Sequence, residues 1–165
     1  MRVFGVGLAL TLFAAAAMAQ EPAGQPSAET MKTFASSADV EALMAKAKGD
    51  LKGQYAVAEN LLRSGPYRVN LEYRVGLHRS TIHENETEIF YVLDGSGTLM
   101  LGGKLVNEKR EGTNRHGTAI EGGKPQNLAK GDFIVIPMNT PHWLSAINGK
   151  IVLLSFHIPP TLTAQ

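Results

Sequence analysis

Hydrophobic residues first recur at helical spacing and then switch to a strand-like period. Val40, Leu43, Met44 and Ala47 form one apolar stripe within Ser36–Gly49. Ser36 or Ser37 can cap this segment, Asp39 and Glu41 suit its first turn, and Lys46, Lys48 and Gly49 close it, which predicts a short helix over 36–52. From about Gly53 the period becomes two. Tyr67, Val69, Leu71, Tyr73 and Val75 alternate with Arg68, Asn70, Glu72 and Arg74, predicting a half-buried antiparallel strand with one face toward water. The apolar run Ile89–Leu93, the turn-like Asp94-Gly95-Ser96-Gly97 and then Thr98–Leu101 predict a hairpin. Asn148-Gly149 predicts another between Trp143–Ile147 and Ile151–Phe156, and Phe133–Ile136 adds a further short strand. Residues 107–127 are polar, and read either as a functional loop or as a mobile insert. Many short strands punctuated by Gly, Pro and Asn predict an all-β sandwich or barrel, carrying the one helix outside, over residues 53–160.

The N-terminus changes the picture of where such a domain works. Arg2, an uncharged apolar run from Val3 to Ala17, and Ala17-Met18-Ala19 have the layout of a cleavable signal peptide over residues 1–19. The run is shorter than the roughly 20 residues needed to span a bilayer. Residues 20–35 begin with polar, proline-bearing sequence and read as a flexible segment. The expected product is exported, periplasmic or secreted, and free of the membrane after cleavage. Loss of Arg2 equalises the 16 basic and 15 acidic side chains, so nucleic acid and anionic membrane surfaces are not the expected partners. The chain has no cysteine, which excludes a disulfide framework and thiol chemistry.

Candidate chemistry concentrates in two stretches. His83-Glu-Asn-Glu-Thr-Glu88 places an imidazole and carboxylates just before the Ile89–Leu93 strand, and Gly131 to His142 repeats the theme with a strand, a proline-bounded turn and a second His. His83, Glu88 and His142 are the ligand set that chemistry favours: two imidazoles and one carboxylate suit a divalent transition metal with positions left open. Glu88 is the best catalytic candidate. His157 shares a strand face with Ser155 and Leu153, and His78 precedes the acidic turn, so both are outside candidates for the site; His116 falls in the polar stretch and reads as solvent-exposed. Thr81, Tyr91, Met138 and Trp143 are candidate pocket residues, whereas Tyr73 and Phe133 read as core. No Gly-rich phosphate loop opens a helix, and no Gly-x-Ser-x-Gly elbow is present, so nucleotide binding and serine hydrolysis have no support.

The same residues carry a family resemblance. Gly131-x5-Pro137-x-Asn139-x2-His142 resembles the second motif of the cupins, with Asn139 where Gly is usual. His83 with Glu88-x6-Gly95 resembles the first, whose fuller form begins with a second His at the position of Thr81. The resemblance spans roughly Gly76 to His157 and implies a double-stranded β-helix or jelly-roll barrel, commonly a homodimer, with Mn, Fe, Ni or Zn in its mouth. It implies a dioxygenase, isomerase or lyase acting on a small oxygenated molecule. Thr81 reduces the usual ligand set to His83, Glu88 and His142, and Ala146 stands where the second motif ends in Asn. The alternative is a non-catalytic, metal-free barrel that binds a small ligand.

Overall fold

The computed structural model describes residues 31–160. The expected signal peptide, and the part of the flexible segment up to residue 30, lie outside the described residues. Helix α1 (Ser37–Asp50) is capped by Ser36, whose side chain accepts from the Asp39 amide while the Asp39 carboxylate accepts from the Ser36 amide. Eleven strands follow: β1 (Ala56–Ser64), β2 (Tyr67–Arg74), β3 (Ser80–His83), β4 (Thr87–Leu101), β5 (Lys104–Val106), β6 (Lys109–Glu111), β7 (Asn114–Gly117), β8 (Ala119–Glu121), β9 (Lys124–Ala129), β10 (Phe133–Ile136) and β11 (His142–Ile158). All pairings are antiparallel. The polar stretch 107–127 is therefore neither a loop nor a mobile insert. It folds into short strands, of which β7 lies beside β3 and β9 beside β4.

Neither predicted hairpin forms. Asp94–Gly97 lies inside β4 and Asn148-Gly149 lies inside β11, and these two long strands pair with each other from His142↔Leu101 to Ile158↔Thr87. The register shifts between Ile147 and Ile151, so the turn-forming residues make a bulge that bends both strands instead of reversing either one. Gly95 sits there with φ +79°, and a Cβ on it would stand 2.1 Å from the Lys150 carbonyl oxygen. Bending lets one strand serve both halves of the barrel: β4 pairs with β10 through Ile89 and with β9 through Leu99.

The barrel is filled from two sides. Phe90, Val92, Leu99, Leu128, Ile136, Leu144, Ile151 and Leu153 pack as its inner core. A second cluster lies outside the wall, where Ala47 of α1 meets Leu71, Tyr73 and Val152, with Val40, Leu43 and Met44 packed against it. The helix thus covers the apolar face of β2. That face is not opposed to water: Asn70, Glu72 and Arg74, on the other face, line an internal cavity, and Glu72 is only 6% exposed. Alternation alone cannot tell a polar interior from solvent, because both demand a polar side chain at every second residue. Phe133 departs from its expected core role. It is 68% exposed and stacks on Tyr91 with ring centroids 4.3 Å apart.

Gly95→Ala should destabilise the fold by about 2–4 kcal/mol, combining left-handed strain with a backbone clash. Urea unfolding of the variant checks this, with Gly112→Ala as the comparison, because Gly112 also has positive φ but nothing within 4 Å of its Cβ position.

Candidate metal centre

Three strands deliver the donors. His83 ends β3, Glu88 is the second residue of β4 and His142 opens β11. Glu88 begins an inward series with Phe90 and Val92, so the alternation that buries two apolar side chains also buries the carboxylate. The structure brings all three residues together. Nε2 of His142 lies 3.2 Å, and Nε2 of His83 3.6 Å, from Oε2 of Glu88. Both imidazoles are oriented from behind. Nδ1 of His83 is 2.9 Å from Oδ1 of Asn114, and Nδ1 of His142 is 3.1 Å from the Thr140 carbonyl, so each Nδ1–H donates outward and each Nε2 faces Glu88.

The donor set fits a divalent transition metal. Glu88 is 3% exposed, and its Oε2 has no hydrogen-bond partner among the described residues. A buried carboxylate oxygen without a hydrogen-bond partner is costly. A cation satisfies all three atoms at once, and His83, Glu88 and His142 form a group whose ligand atoms lie within 4.8 Å of one another.

The surrounding cavity, about 250 Å³, is lined by these ligands and by Thr81, His78, Trp143 and His157, with His116, Asn114 and the polar face of β2 completing it. Thr81 faces His142 across the β3–β11 register, and its Oγ1 is 3.3 Å from Nδ1 of His116. His116 is buried against the cavity, contrary to the solvent exposure expected of it. Trp143 closes the rim by donating its indole N–H to the His78 carbonyl at 2.7 Å. Tyr91 and Met138 are not among the lining residues. Tyr91 belongs to the outward series of β4 with Ile89 and Leu93, and Met138 is exposed in the turn before β11.

Polar residues that the sequence left without a role support the lining side chains. Glu86 accepts from Arg68 at 2.8 Å, and its Oε1 is 3.0 Å from Nδ1 of His157, which leaves Nε2 of His157 3.5 Å from Oε1 of Glu88. Burial raises the Glu86 carboxyl, but hydrogen bonding and charge from His157, with the charges of Arg68 and His83, hold it at about 2. Deeper in, Ser155 donates to Glu72 at 2.6 Å and Arg74 donates its Nε–H to the other oxygen at 2.7 Å. Burial opposes the charge on Glu72, but Arg74 and Ser155 outweigh it and keep the carboxyl below its ordinary range. Glu84, by contrast, points away and is held by Arg110 and Arg115. The signal for Glu72 and Arg74 was the polar half of the β2 alternation. No local signal marks Asn114, which reaches His83 only through the β3–β7 register His83↔Asn114.

Two predictions follow from this support. Asn114→Ala should weaken metal binding by ~10–100-fold while leaving the fold intact, as read by calorimetric titration. In chelator-treated protein, Glu86 stabilises the fold above its ordinary pKa of 4.5, and that contribution is lost as pH falls toward about 2. The wild-type advantage over Glu86→Gln in urea should therefore shrink between pH 4.5 and 2.

A family model described as Cupin matches residues 55–161. Among solved structures, hydroxypropylphosphonic acid epoxidase from S. wedmorenis is 17% identical, with 64% of this chain and 51% of that chain covered and a TM-score of 0.49. The chain thus spans about half the length of the epoxidase. KdgF from Halomonas sp. is 16% identical, with coverage of 65% and 82% and a TM-score of 0.48. No curated protein sequence matches the chain. With its antiparallel jelly-roll barrel, its short N-terminal helix and a family match over more than half its length, the chain belongs to the cupins.

Proposed function

We propose that this cupin binds one divalent transition-metal ion through His83, Glu88 and His142, and uses it to act on a small oxygenated molecule held in the barrel mouth. The observation that carries this reading is the buried, unpartnered Oε2 of Glu88, faced by two imidazole nitrogens whose other ring nitrogens are already engaged. A bound ion would supply a Lewis acid that polarises a substrate oxygen. The chain's own residues do the rest. Asn114 and the Thr140 carbonyl fix the two imidazoles, the barrel wall excludes bulk water, and Thr81, smaller than the imidazole usual at its position, leaves room beside the ligands. His157 presents Nε2 to the same carboxylate from the opposite strand end, with Glu86 fixing its ring, which places a proton-carrying group beside the substrate space. Reactions that develop negative charge on oxygen, as in isomerases, lyases and dioxygenases, fit this arrangement.

The missing imidazole at Thr81 favours the alternative of a barrel that binds its ligand without turnover. Metal content and turnover separate the two readings. Purified wild type should carry one equivalent of metal after loading with Mn, Fe, Ni or Zn, measured by elemental analysis, and both Glu88→Gln and His142→Ala should lower affinity by at least ~100-fold. Wild type without stoichiometric metal, or variants that retain it, would rule out this site.

A further inference from the structure

The nine residues 109–117, which form β6, its turn and β7, contain no hydrophobic side chain. β6 is exposed throughout and pairs with β7 alone, while β7 reaches the barrel through its ladder with β3. No apolar side chain of the hairpin holds it down, and a segment without such burial opens at low cost. Charge holds it instead. Glu84, the residue after the ligand His83, accepts from both terminal nitrogens of Arg110 at 2.6 and 2.7 Å and lies 2.9 Å from Nε of Arg115. Its amide also donates to the Thr113 carbonyl at the hairpin tip, at 3.1 Å. Nearer the mouth, Glu111 meets Arg79 at 3.0 Å. A single exposed ion pair contributes little, but a bidentate guanidinium on a shared carboxylate is the arrangement that does contribute. The hairpin's cargo makes this fastening matter. Asn114 orients the ring of His83, and His83↔Asn114 is the rung of the β3–β7 ladder nearest the tip. Fraying from the tip releases that contact first. Arg79 and His116 border both the metal cavity and an outer cleft of about 530 Å³, which Lys109, Glu111 and Thr118 also line.

Resting on the metal reading above, we propose that Glu84 is a positioning residue of the metal centre: it fastens the β6–β7 hairpin as a flap beside the cavity and so keeps Asn114 on His83. With the flap fastened, the His83 imidazole is held ready for the ion. With it lifted, Asn114 leaves, the ring is free to turn and the cavity joins the outer cleft, which gives the ion and small molecules a way in and out. Glu84 acts through the hairpin, because its carboxylate is occupied by Arg110 and Arg115 and belongs to none of the candidate ligand groups among the described residues. The fastening is within reach of dissolved ions, since the Arg110 side chain is 59% exposed. Salt therefore weakens it, whereas the buried donors Glu88 and His142 are screened much less.

The test uses the full chain and Co(II). Glu84→Gln should weaken Co(II) about tenfold, with the circular dichroism unchanged. In an Asn114→Ala background the same substitution should cost nothing further, because the contact it protects is already gone. An action of the Glu84 charge on the ion, or a general loosening of the barrel, would instead add to the effect of Asn114→Ala. Release of Co(II) to excess chelator should quicken several-fold between about 0.05 and 0.5 M NaCl in wild type, and should be fast and insensitive to salt in Glu84→Gln. Glu59→Gln removes an ion pair with Lys46, between β1 and α1, and should release the ion as wild type does. Amide exchange of residues 109–117 in chelator-treated protein follows the flap without any metal, and should quicken with salt and with Glu84→Gln. Normal Co(II) binding with full additivity between the two substitutions, or with hairpin exchange unmoved by salt and by Glu84→Gln, overturns the proposal and leaves the metal site standing. Absence of Co(II) binding to wild type overturns the metal reading and the positioning role together.

Discussion

The long antiparallel pairing of β4 with β11 is the constraint on which the rest depends. Its register sets Glu88 opposite His157 and carries His142 to the neighbourhood of Thr81, so the site is a by-product of strand alignment. A slip of one residue would turn Glu88 outward and bring Ile89 in, exchanging the donor for a methyl-lined wall. The bulge at Gly95 and Asn148–Lys150 pins that alignment, because only glycine fits beneath the Lys150 carbonyl.

Much of the fold was legible in the sequence. Alternation, turn residues and the two spaced motifs specify an antiparallel barrel and the order of its parts, and α1 follows from its stripe and its Ser36 cap. The two apparent hairpins misled for a physical reason. Asn-Gly and Asp-Gly favour positive φ, and a bulge in a continuous strand uses positive φ as readily as a reversal does. Which of the two occurs depends on whether the flanking strands find each other or a distant partner, and that information is not local.

The candidate site was legible in its donors and illegible in their support. His83, Glu88 and His142 stand beside strands whose ends meet, as their motif positions suggest, whereas Asn114 and His116 sit in a stretch with no apolar pattern and reach the cavity only because β7 pairs with β3. The polar face of β2 illustrates a deeper ambiguity. This barrel is apolar on both sides of part of its wall, with α1 covering the outside and the inner core filling one end, while the other end is lined with charge. Hydropathy then reports which residues avoid hydrocarbon, without reporting whether they meet bulk water or an enclosed site.

The 17 residues of β11 would stretch on the order of 50 Å if straight, yet its first residue and its penultimate one both approach a single carboxylate. The strand is therefore curled almost back on itself, and Glu88 acts as the clasp of a ring. A ring has no loose end from which to fray. Opening should accordingly be all-or-none, with amide exchange along β11 uniformly slow from one end to the other rather than graded from its termini inward.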